Sequence, residues 1–270
     1  MITNNIVIGL GGTGGEVIRH LKKSVYLHER DKKESQDKIF IDYLYVDSDQ
    51  SLNDDKEKWK VLGEDISLKA HNKMTIAGAD LNGVFRNPSF YQNIIPWIGQ
   101  ESDWKSVLPH FASDGIKFGE QKRRLGRFLF ASNVQEFNSR LDTIVANLNK
   151  SSSSTKKRFF ICCGLSGGTG SGSFVDALLQ VRKKFNKQND EVYLYLYLAE
   201  SQPMPSAKTD GGNYFANAYA GLKELNDLEI KKFQPIDVAD GGKLNLEHLH
   251  NTAYIITNEN KEGVFLDLCR

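Results

Sequence analysis

Short apolar runs alternate with segments of helical spacing from one end of the chain to the other. Runs of strand length predict β-strands at residues 6–8, 39–46, 159–163, 192–198 and 253–257. Apolar positions three and four residues apart predict helices after most of these runs. The alternation predicts an α/β fold of the Rossmann-like type, with a mostly parallel sheet and helices on both faces. The apolar and aromatic run 192–198 predicts a central strand that is covered on both sides.

Residues 50–118 carry a weaker pattern. Aromatic residues, among them Trp59, Trp97 and Trp104, favour short packed helices and loops in this stretch. Pro88, Pro96 and Pro109 exclude a long helix. This part of the chain therefore adds little to a functional prediction.

Composition narrows the class of protein. The chain has 270 residues, enough for one large domain, and its 35 basic and 34 acidic residues leave a net charge of +1. The balance argues against nucleic-acid binding. Strand-length apolar runs and an N-terminus without a signal-peptide pattern argue against a membrane or secreted protein. Cys162 and Cys163 are strand neighbours that cannot pair readily, which favours a reducing, cytoplasmic setting.

The stretch 164–172, with the sequence GLSGGTGSG, is the strongest chemical signal in the chain. It connects a predicted strand to a predicted helix, and its five glycines allow backbone N–H groups to approach one centre. The helix N-terminus adds unpaired N–H groups and partial positive charge, and Thr169 and Ser171 add hydroxyl donors. The pattern predicts an anion site, most naturally for phosphate. No Gly-Lys-Ser/Thr follows, so this is not a Walker A loop, and a tight turn without a ligand remains the alternative.

A second glycine-rich stretch, GLGGTGG at 9–15, also follows a short apolar run and precedes a helix. Taken alone, it is similar to the dinucleotide fingerprint and would suit an NAD- or FAD-dependent enzyme. That alternative leaves the stretch at 164–172 without a role.

Together, these two stretches resemble the tubulin/FtsZ family. The segment SGGTGSG resembles the family's signature loop, usually GGGTG(S/T)G, with Ser166 in place of the first glycine, and GLGGTGG is similar to the family's first nucleotide loop. The resemblance implies a GTP-binding protein of cytoskeletal type that holds GTP or GDP with Mg²⁺ and associates with itself head to tail. It implies phosphate contacts from Gly11, Gly12, Thr13, Gly14, Ser166, Gly167, Gly168, Thr169, Gly170 and Ser171.

A basic segment matches the position of the family's third nucleotide loop. Gly119 precedes Arg123, Arg124 and Arg127 at the start of a predicted helix that runs to about Leu148. Cations are unfavourable at a helix N-terminus unless an anion lies nearby. We therefore expect Gly119, Arg123 and Arg124 at the phosphates, with a solvated helix start as the alternative.

Polar residues also follow three other predicted strands. Asp47 and Asp49 follow the second strand, where both the dinucleotide fold and the tubulin/FtsZ family suggest contact with the nucleotide or its metal, and a turn or cap is the alternative. Glu200 and Asp210 belong to the segment that corresponds to the family's ribose loop. Asn258 is similar to the tubulin asparagine that binds guanine, because an amide can both donate to and accept from that base. A helix N-cap is its alternative role.

The resemblance also implies a domain division. Residues 1–258 would form the nucleotide-binding domain, and 259–270 would begin the family's central helix. In the family a second domain follows that helix, and we expect it to be absent from this chain. In the family, an acidic residue beyond that helix activates water for the GTP of the next subunit, so we expect this chain to bind GTP and to hydrolyse it poorly alone. No metal is expected to be bound directly by protein ligands. Leu52 and Lys58 rule out an EF-hand, and His71 and His110 are isolated in the sequence. A structural module without a nucleotide is the remaining alternative.

Overall fold

The computed structural model describes residues 2–30, 38–49, 55–105, 121–186, 188–200 and 213–258. The strands are β1 (Asn4–Leu10), β2 (Ile41–Asp47), β3 (Lys60–Val61), β4 (Glu64–Asp65), β5 (Lys73–Thr75), β6 (Lys157–Gly164), β7 (Asp190–Tyr197) and β8 (Thr252–Ile256). The helices are α1 (Gly11–Arg30), α2 (Leu81–Arg86), α3 (Ile95–Ile98), α4 (Arg123–Ser132), α5 (Val134–Ser151), α6 (Thr169–Lys184) and α7 (Tyr214–Glu229).

Six of these strands form one sheet in the order β5-β2-β1-β6-β7-β8. Every neighbouring pair in it is parallel. Strands β3 and β4 form a separate antiparallel pair. The predicted α/β fold with a parallel sheet is therefore confirmed, and all carboxyl ends of the main sheet lie along one rim.

Helices pack on both faces of the sheet, as predicted. On one face, alternate residues of β1 such as Ile6 and Ile8 pack with Phe137 of α5 and Phe174 of α6. On the other face, Val7 packs with Ile18 of α1. The alternation of side chains along a strand explains why β1 is apolar at consecutive positions.

Strand β7 is covered less completely than its sequence predicts. Val192, Leu194 and Leu196 are fully buried, whereas the intervening tyrosines are only half-buried. Phe160 and Tyr193 stack there with ring centroids 5.5 Å apart, and Tyr195 stacks on Tyr254 at 4.9 Å. The prediction that β7 is covered on both sides is therefore wrong for the face that carries the tyrosines. Aromatic side chains that stack on one another at a partly open surface give the same sequence pattern as buried ones.

Two helix boundaries also differ from the prediction. The helix expected to run from the arginine segment to about Leu148 is two helices, because Asn133 interrupts it with φ −117° and ψ 12° and its side chain donates to the Leu129 carbonyl at 2.8 Å. The loop part of each glycine-rich stretch is also shorter than expected, because α1 already begins at Gly11 and α6 at Thr169. Much of each stretch is therefore the first turn of a helix. No helix in the described ranges combines the length and apolar character that a bilayer crossing requires.

Candidate functional site

Predicted site residues follow each of five adjacent strands at its carboxyl end. Asp47 ends β2, Gly11 follows β1, Ser166 follows β6, Glu200 follows β7 and Asn258 follows β8. These strands are neighbours in the order β2-β1-β6-β7-β8. A parallel sheet places such ends side by side, and ligands of open α/β sheets bind there.

The two glycine-rich stretches meet at the centre of this rim. Gly11 has a φ of +69°, and a Cβ atom on it would lie 2.9 Å from the backbone nitrogen of Gly170. A Cβ on Gly164 would lie 2.5 Å from the Thr13 hydroxyl oxygen. The N-termini of α1 and α6 therefore converge, and each presents N–H groups of its first turn that have no partner within the helix.

Several glycines in these stretches are required by the packing of the protein itself. A Cβ on Gly14 would lie 2.5 Å from the Cys162 carbonyl oxygen, and one on Gly170 would lie 2.6 Å from that of Leu10. A Cβ on Gly172 would lie 2.1 Å from the Arg123 carbonyl oxygen. These distances are far below van der Waals contact, so the three glycines allow backbone to approach backbone.

Two other glycines face open space. A Cβ on Gly12 or on Gly167 would meet no atom of the described residues within 4 Å. Gly12 lies in the first turn of α1, and Gly167 lies two residues before α6. Nothing in the described protein requires a glycine at either position, so these two positions have room for a ligand at the backbone.

Polar groups connect the end of β2 to the start of α6. The Tyr45 hydroxyl donates to the Asp47 carboxylate at 2.9 Å, and the hydroxyl oxygens of Ser48 and Thr169 lie 2.9 Å apart. Burial raises the pKa of Asp47, and hydrogen bonds from Tyr45, the Asp49 backbone and Thr169 oppose that rise. Asp47 is thus buried beside the stretch 164–172, called the signature stretch below, while Asp49 is half-buried at the edge of the same turn.

The arginine side chains have protein partners. Arg123 donates to the Ser171 carbonyl at 3.0 Å and pairs with Glu224 at 2.5 Å. Arg124 donates to the Asp103 carbonyl at 3.2 Å.

Arg127 pairs with the buried Asp176 at 2.8 Å and lies over the Trp97 ring. Together with the contacts of Arg123, this pair fastens α4 to α6. Phosphate contact by Arg123 and Arg124 stays a prediction.

Two buried oxygens at the rim have no hydrogen-bond partner in the part of the chain that the structure describes. They are Oγ of Ser166 and Oδ1 of Asn258, whose residues are 7% and 4% exposed. An unpaired buried acceptor is costly, and native proteins seldom leave one without a reason. Both atoms can accept a hydrogen bond from a ligand, and the Ser166 hydroxyl can also donate one.

The remaining predicted positions are Glu200, Gly119, Asp210 and the segment 259–270. Glu200 is half-buried, and its backbone N–H donates to the Tyr214 hydroxyl at 3.3 Å. Gly119 and Asp210 lie outside the described residues, as does the segment 259–270. Among the residues that the structure does describe, no group of three His, Cys, Asp or Glu side chains could hold a metal.

Two residues of the site were missed by the sequence analysis. Asn217 of α7 donates from Nδ2 to the Ser166 carbonyl at 3.0 Å and to the Gln121 carbonyl at 2.7 Å. Gly126 of α4 has room only for hydrogen, since a Cβ there would lie 2.1 Å from the Gly168 carbonyl oxygen. The sequence analysis gave neither residue a role in the site, and only the glycine in a helix interior offered a local hint.

The sequence matches one family of known proteins. The family model described as "Tubulin like" matches residues 6–268, nearly the whole chain. No curated protein sequence matched the chain.

Among solved structures, CetZ from Methanosaeta thermophila superposes with a TM-score of 0.55 at 13% identity, covering 96% of this chain and 46% of CetZ. CetZ2 from Haloferax volcanii, solved as a GTPγS-bound protofilament, gives a TM-score of 0.51 at 14% identity and covers 97% of this chain and 52% of CetZ2. The chain spans about half the length of these solved proteins.

Proposed function

The chain belongs to the tubulin-like family, and on that basis we propose that it binds a guanine nucleotide, GTP or GDP, at the carboxyl rim of its sheet. The observation that carries the proposal is the meeting of two glycine-rich helix N-termini at which Gly12 and Gly167 leave the backbone open. Two such termini concentrate N–H donors and partial positive charge on one region, which suits a di- or triphosphate.

The remaining parts of the nucleotide have candidate partners on either side of this centre. Asn258 has a buried amide oxygen, unpaired within the described residues, that could accept from the guanine ring N1–H or its amino group. Asp47, at the other end of the rim, is a carboxylate that could hold water on a phosphate-bound Mg²⁺. Glu200 and Asp210 are the candidates for the ribose, and Arg123 and Arg124 for phosphate.

CetZ2 from Haloferax volcanii supports a further part of the proposal, because that protein was solved with GTPγS bound and as a protofilament. We propose that this chain likewise associates head to tail. Hydrolysis would need a positioned water as well as neutralisation of the phosphate charge. We propose that a neighbouring subunit supplies the residue that positions this water. A nucleotide-dependent increase in sedimentation would support the assembly.

The direct test is titration calorimetry of the purified protein with GTP, ATP and NAD⁺, together with chromatography of any nucleotide released on denaturation. Binding of GTP in preference to ATP and NAD⁺ would support the proposal. Preferential binding of NAD⁺ would favour the dinucleotide alternative. No heat with any of them at millimolar concentration, and no released nucleotide, would favour a structural module.

A matched pair of variants makes the test specific. Asn258→Ala removes the proposed base contact, whereas Asn226→Ala removes an exposed asparagine on α7 that lies outside the site. We expect only the first to reduce the preference for GTP over ATP. Equal preferences in the two variants would count against Asn258 as the base-binding residue.

A further inference from the structure

One asparagine of α7 connects the signature stretch to the segment before α4. The Nδ2 group of Asn217 donates to the Ser166 carbonyl at 3.0 Å and to the Gln121 carbonyl at 2.7 Å, and the Gly167 carbonyl lies at 3.5 Å. Asn217 is 8% exposed. Gln121 has a φ of +56°, in the left-handed region that residues other than glycine rarely adopt.

These contacts have a geometric consequence for the backbone. A trans peptide unit is planar, with its C=O and N–H pointing in opposite directions. The Ser166 carbonyl shares a peptide unit with the N–H of Gly167, and the Gly167 carbonyl shares one with the N–H of Gly168. When Asn217 attracts both carbonyl oxygens, both N–H groups must point away from α7.

Without such an anchor, these peptide units would be free to rotate. Glycine adopts both signs of φ with little cost, so a unit flanked by glycines can flip and present its oxygen instead of its N–H. A carbonyl oxygen facing a phosphate would repel it. The loop therefore needs a contact on the side away from the ligand if its N–H groups are to be directed before the ligand arrives.

We propose that Asn217 is a positioning residue that fixes the peptide units 166–167 and 167–168 with their N–H groups toward the phosphate side. This inference rests on the proposed function of the rim as a nucleotide site. Helix α7 also reaches this stretch indirectly, since its Glu224 pairs with Arg123, which donates to the Ser171 carbonyl at 3.0 Å. The N–H of that peptide unit, on Gly172, donates to the Gly168 carbonyl within α6, so this contact fixes the helix and not a free N–H group. Helix α7 thus orients the signature stretch from the side away from the phosphate.

The first test needs no nucleotide. The backbone amide signals of Gly167 and Gly168 are recorded by ¹H–¹⁵N NMR in the nucleotide-free protein, in Asn217→Ala and in the matched control Asn226→Ala, an exposed asparagine of the same helix. We expect one sharp signal per glycine in the wild type and the control. Asn217→Ala should shift, broaden or split both signals. Unchanged signals in a folded Asn217→Ala protein would overturn the inference.

The second test separates positioning from general stability. Asn217→Ala should bind GTP about tenfold more weakly, which corresponds to about 1.4 kcal/mol, while affinity for guanosine, which lacks phosphate, stays the same. Equal losses for both ligands would overturn the inference, because a purely structural role would affect the whole site. If Asn217→Ala does not fold, Asn217→Ser keeps a shorter donor for the same comparisons. A wild type that binds no GTP would overturn the proposed function, and the amide signals would still decide the role of Asn217.

Discussion

A single added methyl group should reduce stability at one glycine of the stretch 164–172 and GTP binding at another. In Gly167→Ala the new Cβ meets no described atom within 4 Å, whereas in Gly172→Ala it lies 2.1 Å from the Arg123 carbonyl oxygen. Ordinary contact begins at about 3.4 Å, so the second change requires α4 and α6 to move apart by more than an ångström. The comparison separates glycines that serve a ligand from glycines that serve packing.

The expected magnitudes follow from these distances. Overpacking a close contact costs about 1–3 kcal/mol, so Gly172→Ala should lower the Tm by roughly 3–10 °C for a chain of this size. Gly167→Ala should change the free energy of unfolding by less than about 0.5 kcal/mol. Its methyl would instead occupy the space of the phosphate, and a similar overlap would weaken GTP binding by roughly 5- to 150-fold.

Thermal unfolding followed by circular dichroism measures the first quantity, and calorimetric titration with GTP measures the second. If Gly167→Ala binds GTP as the wild type does, the N–H groups around residue 167 do not hold the phosphate. If Gly172→Ala is as stable as the wild type, the close approach of α4 and α6 does not constrain the fold. Either result would refute the division of the motif into these two roles.

Three further predictions concern single side chains. Asn258→Ala should lower GTP affinity about tenfold or more with no loss of thermal stability, because it removes a buried oxygen that has no partner among the described residues; a marked drop in Tm would contradict this. Arg127→Ala leaves Asp176 buried and unpaired and should cost about 3–5 kcal/mol by denaturant unfolding, with partial recovery in a double variant that adds Asp176→Asn. A cost below about 1 kcal/mol would show that the pair is unimportant. Burial alone would raise the pKa of Glu191, but hydrogen bonds from two basic neighbours outweigh it and lower that pKa from 4.5 to about 2. Because the folded-state pKa is the lower one, this carboxylate stabilises the fold above pH 4.5 and loses that effect as the pH falls toward 2. Glu191→Gln should therefore lower the Tm at about pH 7 and approach the wild type near pH 2, and a constant difference across this range would contradict the assignment.

The hydrophobic pattern alone was sufficient to predict the fold class. Apolar runs of strand length separated by amphipathic helices are compatible with few architectures other than a parallel sheet between helices. The same reasoning placed the glycine-rich stretches and Asp47 at strand ends. Because a parallel sheet aligns its carboxyl ends, that placement was enough to predict that these residues share one rim.

The partners of charged side chains could not be predicted in this way. Arg123 and Arg127 form a basic cluster in the sequence, and the phosphate contact expected of Arg123 stays a prediction. In the fold, Arg127 pairs with Asp176, 49 residues further along the chain, and Arg123 reaches Glu224, 101 residues away. Side chains that interact at such separations are brought together only by the packing of helices, which no local pattern specifies.

The sequence by itself determined where the backbone is able to come close to another atom, because a glycine carries no Cβ. Only the tertiary structure decided what that neighbour is. At Gly126, Gly170 and Gly172 it is the protein's own backbone, and at Gly12 and Gly167 no atom of the described residues comes within 4 Å of an added Cβ. The physical reason is that the absence of a Cβ records a distance but not the identity of the atom at the other end.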